Sequence, residues 1–413
     1  MADVRPVHVA IHAALDPRSA GGVQTNLLSL VHGLGQAGSA AKVTLLAPAS
    51  IVEPWRALAD PNTDVTPWAH VFPWYRETST KALRQKLAEA IAGIMKPGSV
   101  ERDRELRATG AQLVHFPYQL AFDTALPSIY EPWDLQHIHL PHLFSPGERQ
   151  WRTAMYRRAC QRAALVVTAT ATTKRDIVET FGVPPDKIAV ILRDSDIMQT
   201  PPPAERRIEV LRELGIEGEF AFYPAMTFPH KNHVALFEAL SIVRAKHGLT
   251  IKLVCSGRVS QAHQATIEES LRHHRIEAQV KFVGALPEEA LVSLFAEAKM
   301  LAFPSLFEGL GLPLLEAMQF GVPIVASATS CIPEVTADAA VLFNPKDPED
   351  MASCLTRVWT DEALRHEMRS KGQIRRRDFA WDKAAPTFVA AYRKVAGLPL
   401  TQPQQDHLSQ ALA

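Results

Sequence analysis

Cysteine is scarce in this chain. Four occur, at 160, 255, 331 and 354, and none forms a C-x-x-C pair. That argues against a disulfide framework and against a thiolate zinc site, and it fits a reducing cytoplasm. Net charge is absent too: Lys plus Arg and Asp plus Glu both number 44. No overall field therefore points to nucleic acid as a partner. No run of about 18 apolar residues occurs, so no segment is expected to span a bilayer. The N-terminus lacks a basic region followed by an apolar one, so a signal peptide is not expected. The pattern G-x-G-x-x-G after the first strand is missing as well, which disfavours an NAD enzyme.

The chain has 413 residues, 47% of them apolar and 21% charged. That is an ordinary globular composition, and the length predicts two domains. Short apolar runs alternate with amphipathic stretches. Residues 7–15, 42–46, 113–116 and 165–168 read as strands, and 23–34 and 173–181 as helices. The prolines at 201–203 interrupt the pattern, and 204–218 reads as a connecting helix and turn. A second series follows, with strands expected at 220–224, 251–255, 280–283, 300–303, 324–326 and 341–342. Such alternation predicts an α/β chain with two doubly wound, mostly parallel sheets. Ligands bind at the carboxyl ends of such strands, so a cleft between the two domains is the expected site.

The most informative stretch is 303–323, FPSLFEGLGLPLLEAMQFGVP. A strand ends at Phe303, and Glu308-Gly309-Leu310-Gly311 forms a loop whose glycines allow close approach of a ligand. Pro313 suits the start of a helix over 314–320, and Gly321 suits its C-cap. Free N–H groups at the helix start attract phosphate. Glu316, expected in the first turn, can accept hydrogen bonds from a ribose diol. Glu308, eight residues earlier, can reach another part of the same ligand. Phosphate on backbone amides and hydroxyls on carboxylates together suit a nucleotide sugar.

This stretch resembles the E-x7-E signature of the retaining GT-B glycosyltransferases, in particular glycosyltransferase family 4. The similarity runs through Gly21-Gly22, Trp133-Asp134-Leu135-Gln136-His137, residues 167–176, Phe181-Gly182-Val183, Tyr223-Pro224 and His230-Lys231-Asn232-His233. It continues through Phe282-Val283-Gly284, Ile332-Pro333-Glu334-Val335 and Phe379-Ala380-Trp381. The resemblance implies two Rossmann-like domains facing across a cleft: an acceptor-side domain over 1–198 and a donor domain over 199–380. A helix over 381–400 returns to the first domain, and 401–413 is expected to be a flexible tail.

It also implies roles. Glu316 holds the ribose, Glu308 contacts the transferred sugar and Lys231 neutralises the diphosphate. Gly309, Leu310 and Gly311 line the donor site, and Gly21 and Gly22 bring backbone against its phosphate side. His137 and Asp134 face the acceptor, with His137 a candidate catalytic residue. Many relatives carry Arg five residues before the Lys; here that position is Met226. Charge stabilisation then depends on protonation of His230 or on Lys231 alone. No cofactor and no metal are implied. The substrates implied are GDP-mannose or a UDP-hexose and a glycan or lipid-linked acceptor. The function implied is retaining hexosyl transfer with mannose favoured, in polysaccharide biosynthesis. The alternative is an inactive nucleotide-sugar-binding subunit.

Three other patterns have competing readings. His137, His139 and His142 form H-x-H-x-x-H, which fits zinc, but no carboxylate or Cys accompanies them, so an acceptor contact is preferred. Asp194-Ser195-Asp196 matches a D-x-D tripeptide and reads as a turn. Residues 148–164 carry five arginines with Trp151, Met155 and Tyr156. They read as a solvated basic face or as a helix lying peripherally on the inner face of a membrane, and neutrality of the whole chain favours the first.

Overall fold

The structure, a computed structural model, describes residues 5–18, 21–36, 38–60, 62–69, 100–194 and 200–413. It divides into two compact units. Unit 1 comprises Met1–Leu135, Pro146–Ile197 and Ala380–Ala413, and unit 2 comprises Gln136–Ser145 and Met198–Phe379. The short segment Gln136–Ser145 thus packs with the second unit, although the sequence placed it in a domain over 1–198.

Unit 1 holds seven strands: β1 Val7–His12, β2 Ala41–Ala47, β3 Thr63–Pro67, β4 Leu113–Phe116, β5 Ser128–Tyr130, β6 Leu165–Thr168 and β7 Ile188–Val190. Their order is β3-β2-β1-β4-β5-β6-β7, and every pairing is parallel. Strands such as Leu113-Val-His-Phe116 are buried throughout, as a parallel sheet covered on both faces requires. The sequence did not announce β3, β5 and β7. β3 alternates Thr and Asp with a single Val, and the other two are three residues long.

Unit 2 repeats the plan with β8 Ala221–Pro224, β9 Leu253–Ser256, β10 Val280–Gly284, β11 Met300–Phe303, β12 Ile324–Ser327 and β13 Ala340–Phe343. Their order is β10-β9-β8-β11-β12-β13. In each sheet the order reverses at a central pair, β1/β4 in unit 1 and β8/β11 in unit 2. The chain leaves these two strands in opposite directions, which opens a crevice at their carboxyl ends.

The helix Trp381–Val395 belongs to unit 1 and buries Trp381, Phe388 and Tyr392 completely or nearly so. Its Trp381 lies against Gly33 in the helix Gly22–Gln36, where a Cβ would stand 2.0 Å from the indole ring. The indole N–H donates to Ser29 Oγ at 2.9 Å and to the Asp194 carbonyl at 3.1 Å, so the ring has no room to withdraw. Gly33→Ala therefore destabilises the protein by about 3 kcal/mol, as core overpacking does, despite alanine's better helix propensity. A thermal melt checks this; an unchanged Tm contradicts it.

The segment 401–413 is not a flexible tail. Gln402–Leu412 is a helix that buries Leu408 and Ala411 against unit 1. Its Thr401-Gln-Pro-Gln start is a capping box, with the Thr401 hydroxyl and the Gln404 side chain each satisfying the other's backbone N–H. The polar composition marked a helix N-terminus rather than disorder. Of the D-x-D tripeptide, Ser195 and Asp196 lie outside the described residues, as does the expected domain boundary between 198 and 199.

Candidate active site

Unit 2 assembles its polar groups at the β8/β11 crevice. After β8 the chain makes a tight turn, Pro229–Lys231, and Asn232 follows with a left-handed φ of 58°. Asn232 Nδ2 donates to the carbonyls of Pro304 (3.1 Å) and Pro345 (2.9 Å). The Tyr223 hydroxyl at the end of β8 donates to the Lys231 carbonyl at 2.7 Å, and Leu306 N–H donates to the His230 carbonyl at 2.7 Å. After β11 the Glu308 backbone is held by its N–H to Ser330 Oγ (3.0 Å) and by the Cys331 thiol donating to its carbonyl (3.2 Å). These bonds fix both loops, and Lys231 Nζ meets Glu308 Oε1 at 2.6 Å. The two side chains are 18% and 12% exposed, so the pair lies at the mouth of the crevice rather than in bulk water.

The electrostatics follow from that position. Burial pushes the Glu308 carboxyl up, but Lys231, His230 and a hydrogen bond from Ser305 together hold it below the usual Glu value. Glu308 is therefore ionised across the neutral range. Burial, with Lys231 alongside, pushes His230 down to about 4. His230 is then neutral at pH 7. It can donate a hydrogen bond, but it does not replace the missing arginine as a cation. Of the two neighbours, Lys231 carries the positive charge, and that charge is shared with Glu308.

The loop Gly309–Gly311 ends in a left-handed Gly311 with φ 80°, where an added Cβ would also press on Leu314 at 2.9 Å. Gly311 caps the helix Leu312–Gln319. The helix thus starts two residues earlier than the sequence suggested, because Leu312 and Pro313 both take helical geometry. Glu316 is consequently in the second turn, not the first, and is only 8% exposed. Gly309 is half-buried and Leu310 buried.

Unit 1 carries the other expected residues. Gly21 is exposed and extends at φ 149° into Gly22, the first residue of the helix Gly22–Gln36. Trp133 has a left-handed φ of 61°, and its indole N–H donates to the Pro117 carbonyl at 2.7 Å. Asp134, next in the chain, donates its N–H to the Pro132 carbonyl at 2.7 Å. His137 belongs instead to the unit 2 segment, buried in the short helix Gln136–His139 and edge-on to Phe144. Two residues on, His139 stacks on Phe307 with ring centroids 4.7 Å apart, directly before Glu308. Among the described residues no group of three or more His, Cys, Asp or Glu has a geometry that could hold a metal ion.

Sequence reasoning missed several groups. Tyr223 and Ser305 buttress the Lys231–Glu308 pair, and a hydroxyl in a strand end carries no pattern that would have marked them. At the β1/β4 crevice, the Tyr118 hydroxyl accepts the Ala14 N–H at 2.9 Å and bonds His12 Nδ1 at 2.9 Å. Burial pushes His12 and His233 down to about 3 each. Their folded values lie below the unfolded value of 6.5, so the unfolded chain takes up protons first as pH falls. The stability they contribute is complete above about pH 6.5 and is lost as pH drops toward their folded values. For the two together the slope approaches about 3 kcal/mol per pH unit near pH 5. Urea midpoints measured from pH 7 to 5 check this; a flat profile contradicts it.

The basic stretch forms the helix Pro146–Arg162. Tyr156 and Cys160 are buried against unit 1, Arg152 pairs with Glu148 at 3.0 Å, and Arg158 and Arg162 both pair with Asp123. None of the helices built from described residues is long and apolar enough to cross a membrane.

Two family profiles match the chain. "Glycosyltransferase Family 4" covers residues 20–193, and "Glycosyl transferases group 1" covers residues 209–375. The chain is 27% identical over 233 residues to the O-antigen chain mannosyltransferase B of Escherichia coli, a match spanning 56% of this chain and 61% of that one. It is 26% identical to an MMP alpha-(1->4)-mannosyltransferase of Mycolicibacterium hassiacum, over 80% of this chain and 77% of that one. A sucrose-phosphate synthase from Thermosynechococcus elongatus has the same fold, with a TM-score of 0.72 at 19% identity, covering 95% of this chain and 99% of that one. The Anabaena protein HepE in complex with UDP and glucose gives 0.68 at 16% identity, covering 94% of this chain and all (100%) of that one. These likenesses show the two-domain GT-B fold.

Proposed function

The chain belongs to the group 1 glycosyltransferases of the GT-B fold, and on that premise we propose that it moves a hexose, mannose by preference, from a nucleoside-diphosphate sugar to a glycan or lipid-linked acceptor. The observation that carries this is the Lys231–Glu308 pair, 2.6 Å apart at the switch point of the donor-side sheet. Mannose is favoured by the kind of relative matched: both of the relatives described above are named mannosyltransferases.

In this reading Glu316 accepts from the ribose hydroxyls, and the amides of Gly309–Gly311 take phosphate oxygens. Lys231 turns its ammonium to the diphosphate as the bond from sugar C1 to phosphate oxygen breaks and the electron pair leaves with the diphosphate. Neutral His230 donates a hydrogen bond to the same oxygens. Glu308, held ionised by Lys231 and Ser305, accepts from the sugar hydroxyls. The acceptor oxygen bonds C1 on the face the phosphate leaves, its proton passes to that phosphate, and the configuration is retained. Asp134 and His137 serve the acceptor. No protein nucleophile and no metal take part.

Thermal-shift measurement with GDP, UDP, ADP and their sugars tests the donor assignment. A ligand that binds only the folded protein stabilises it by about 2.7 kcal/mol at a hundred times its Kd. GDP and GDP-mannose are expected to raise Tm most. A larger shift with UDP-glucose replaces mannose with glucose in this proposal. No shift with any of them removes the donor site.

A further inference from the structure

One face of the helix Pro146–Arg162, which packs Trp151 and Met155 against the core, also borders a pocket. Trp151, Ala154, Met155, Arg158, Ala159 and Arg162 recur at spacings of three and four, which places them in one stripe. They form one wall of a pocket that runs along the helix for about 16 Å, at 1.5 Å per residue. Phe116 and Tyr130 at the ends of β4 and β5 form the floor, with Phe122 and Leu126 from the crossover between those strands opposite the helix. The pocket is a narrow one, with a cavity volume of about 90 Å³. Its width suits a thin aliphatic chain rather than a bulky ligand, and its walls are mostly apolar with a few placed polar groups, as small-molecule sites are. None of its lining residues belongs to the proposed donor or acceptor set.

The polar groups at this pocket are unbalanced in charge. Arg158 and Arg162 both pair with Asp123, and their side chains are 41% and 54% exposed, so the outer edges of both guanidiniums remain open to water. Arg102 stands over the Phe122 ring at 4.7 Å and donates to the Asp123 carbonyl at 2.5 Å. Two guanidiniums, Arg158 and Arg162, thus share one carboxylate at the apolar slot, while Arg102 beside them faces Asp103 as well as Asp123. A guanidinium binds phosphate oxygens with several donors at once.

We propose that this pocket holds the aliphatic chain of an anionic lipid, with its phosphate head on Arg158 and Arg162. The site is independent of the donor chemistry and goes beyond the transfer reaction. It also gives the basic helix a role other than lying flat on a bilayer: the lipid chain enters the protein, and the arginines read its head.

The test is calorimetric titration of the full chain with dodecyl phosphate below its aggregation threshold, and with a neutral dodecyl ether as comparison. Saturable one-to-one binding of the phosphate is expected, at least tenfold tighter than the neutral probe. Ala159→Leu, which fills the slot, weakens it at least tenfold, and Arg158→Gln with Arg162→Gln brings it to the level of the neutral probe. Ala154→Leu, at an exposed position on the same wall, serves if Ala159→Leu fails to fold. Equal binding of charged and neutral probes, unsaturable uptake, or undiminished binding by a folded slot-filling variant overturns the proposal. Release of nucleoside diphosphate is measured in the same samples. Loss of the lipid site with turnover intact leaves the transferase reading standing.

Discussion

Lys231→Ala lowers the release of nucleoside diphosphate from the sugar donor by roughly a thousandfold, the scale expected when a preorganised charge facing a leaving group is removed. The two described positions from which a second charge was expected offer no substitute. Position 226 is Met, and His230 is neutral at pH 7 because burial and Lys231 push it down to about 4. The effect falls mainly on kcat, since the ammonium is worth most when charge has moved onto the diphosphate. Lys231→Arg recovers only part of the loss, because the planar guanidinium does not occupy the place of a compact ammonium 2.6 Å from Glu308. A second consequence separates this account from a merely structural role. Without Lys231 the largest effect opposing burial is gone, and the Glu308 carboxyl rises. The residual activity of Lys231→Ala then falls off on the acid side at a higher pH than that of the wild type. Steady-state rates from pH 5 to 8 measure both effects.

The second large effect is on folding. Glu131→Gln destabilises the protein by about 3–5 kcal/mol, the cost of leaving a buried charge without its partner. Arg193 Nη2 lies 2.5 Å from Glu131 Oε2, with the two side chains 2% and 1% exposed. Burial alone would raise Glu131, but Arg193 and His115 outweigh it and hold the carboxyl low. His115 Nε2 meets the other carboxylate oxygen at 2.8 Å, and His115 Nδ1 bonds the Tyr392 hydroxyl at 2.9 Å. Arg193 Nε donates to Asn26 at 3.0 Å. One charge pair therefore ties together the helix Gly22–Gln36, strands β4 and β5, the segment after β7 and the helix Trp381–Val395. Pairing Glu131→Gln with Arg193→Met recovers much of the loss, since a buried ion pair can be exchanged for apolar packing at little cost. Urea denaturation of both variants checks this. If the single variant matches the wild type, the network does not hold unit 1 together.

Much of the fold was readable because parallel strands buried on both faces are written as continuous apolar runs. Met300–Phe303 and Leu165–Thr168 read as strands in the sequence and form β11 and β6 in the structure. The legible part of the site lay in one uninterrupted stretch, Glu308 to Gly321, where loop glycines, a helix-start proline and two carboxylates signal together. What was not legible depends on distant parts of the chain meeting. Nothing in the sequence marks Arg193, and only packing reveals that it neutralises Glu131, 62 positions away. Ser305 and Tyr223 show no periodicity that marks them, and they matter only because β8 and β11 are neighbours. The charge state of His230 was open in the sequence because burial decides it. Residues 401–413 read as a tail because they are polar, whereas the capping box at Thr401 makes them a helix.

The claim on which the rest depends is that the loop and helix from Glu308 to Glu316 form the nucleotide-sugar site. Calorimetric titration of GDP into the wild-type chain and into Glu316→Ala tests it most directly. The account predicts one site per chain in the wild type and at least tenfold weaker binding when the carboxylate that accepts the ribose hydroxyls is removed, with the fold unchanged by circular dichroism. Equal affinity in the two proteins would contradict it.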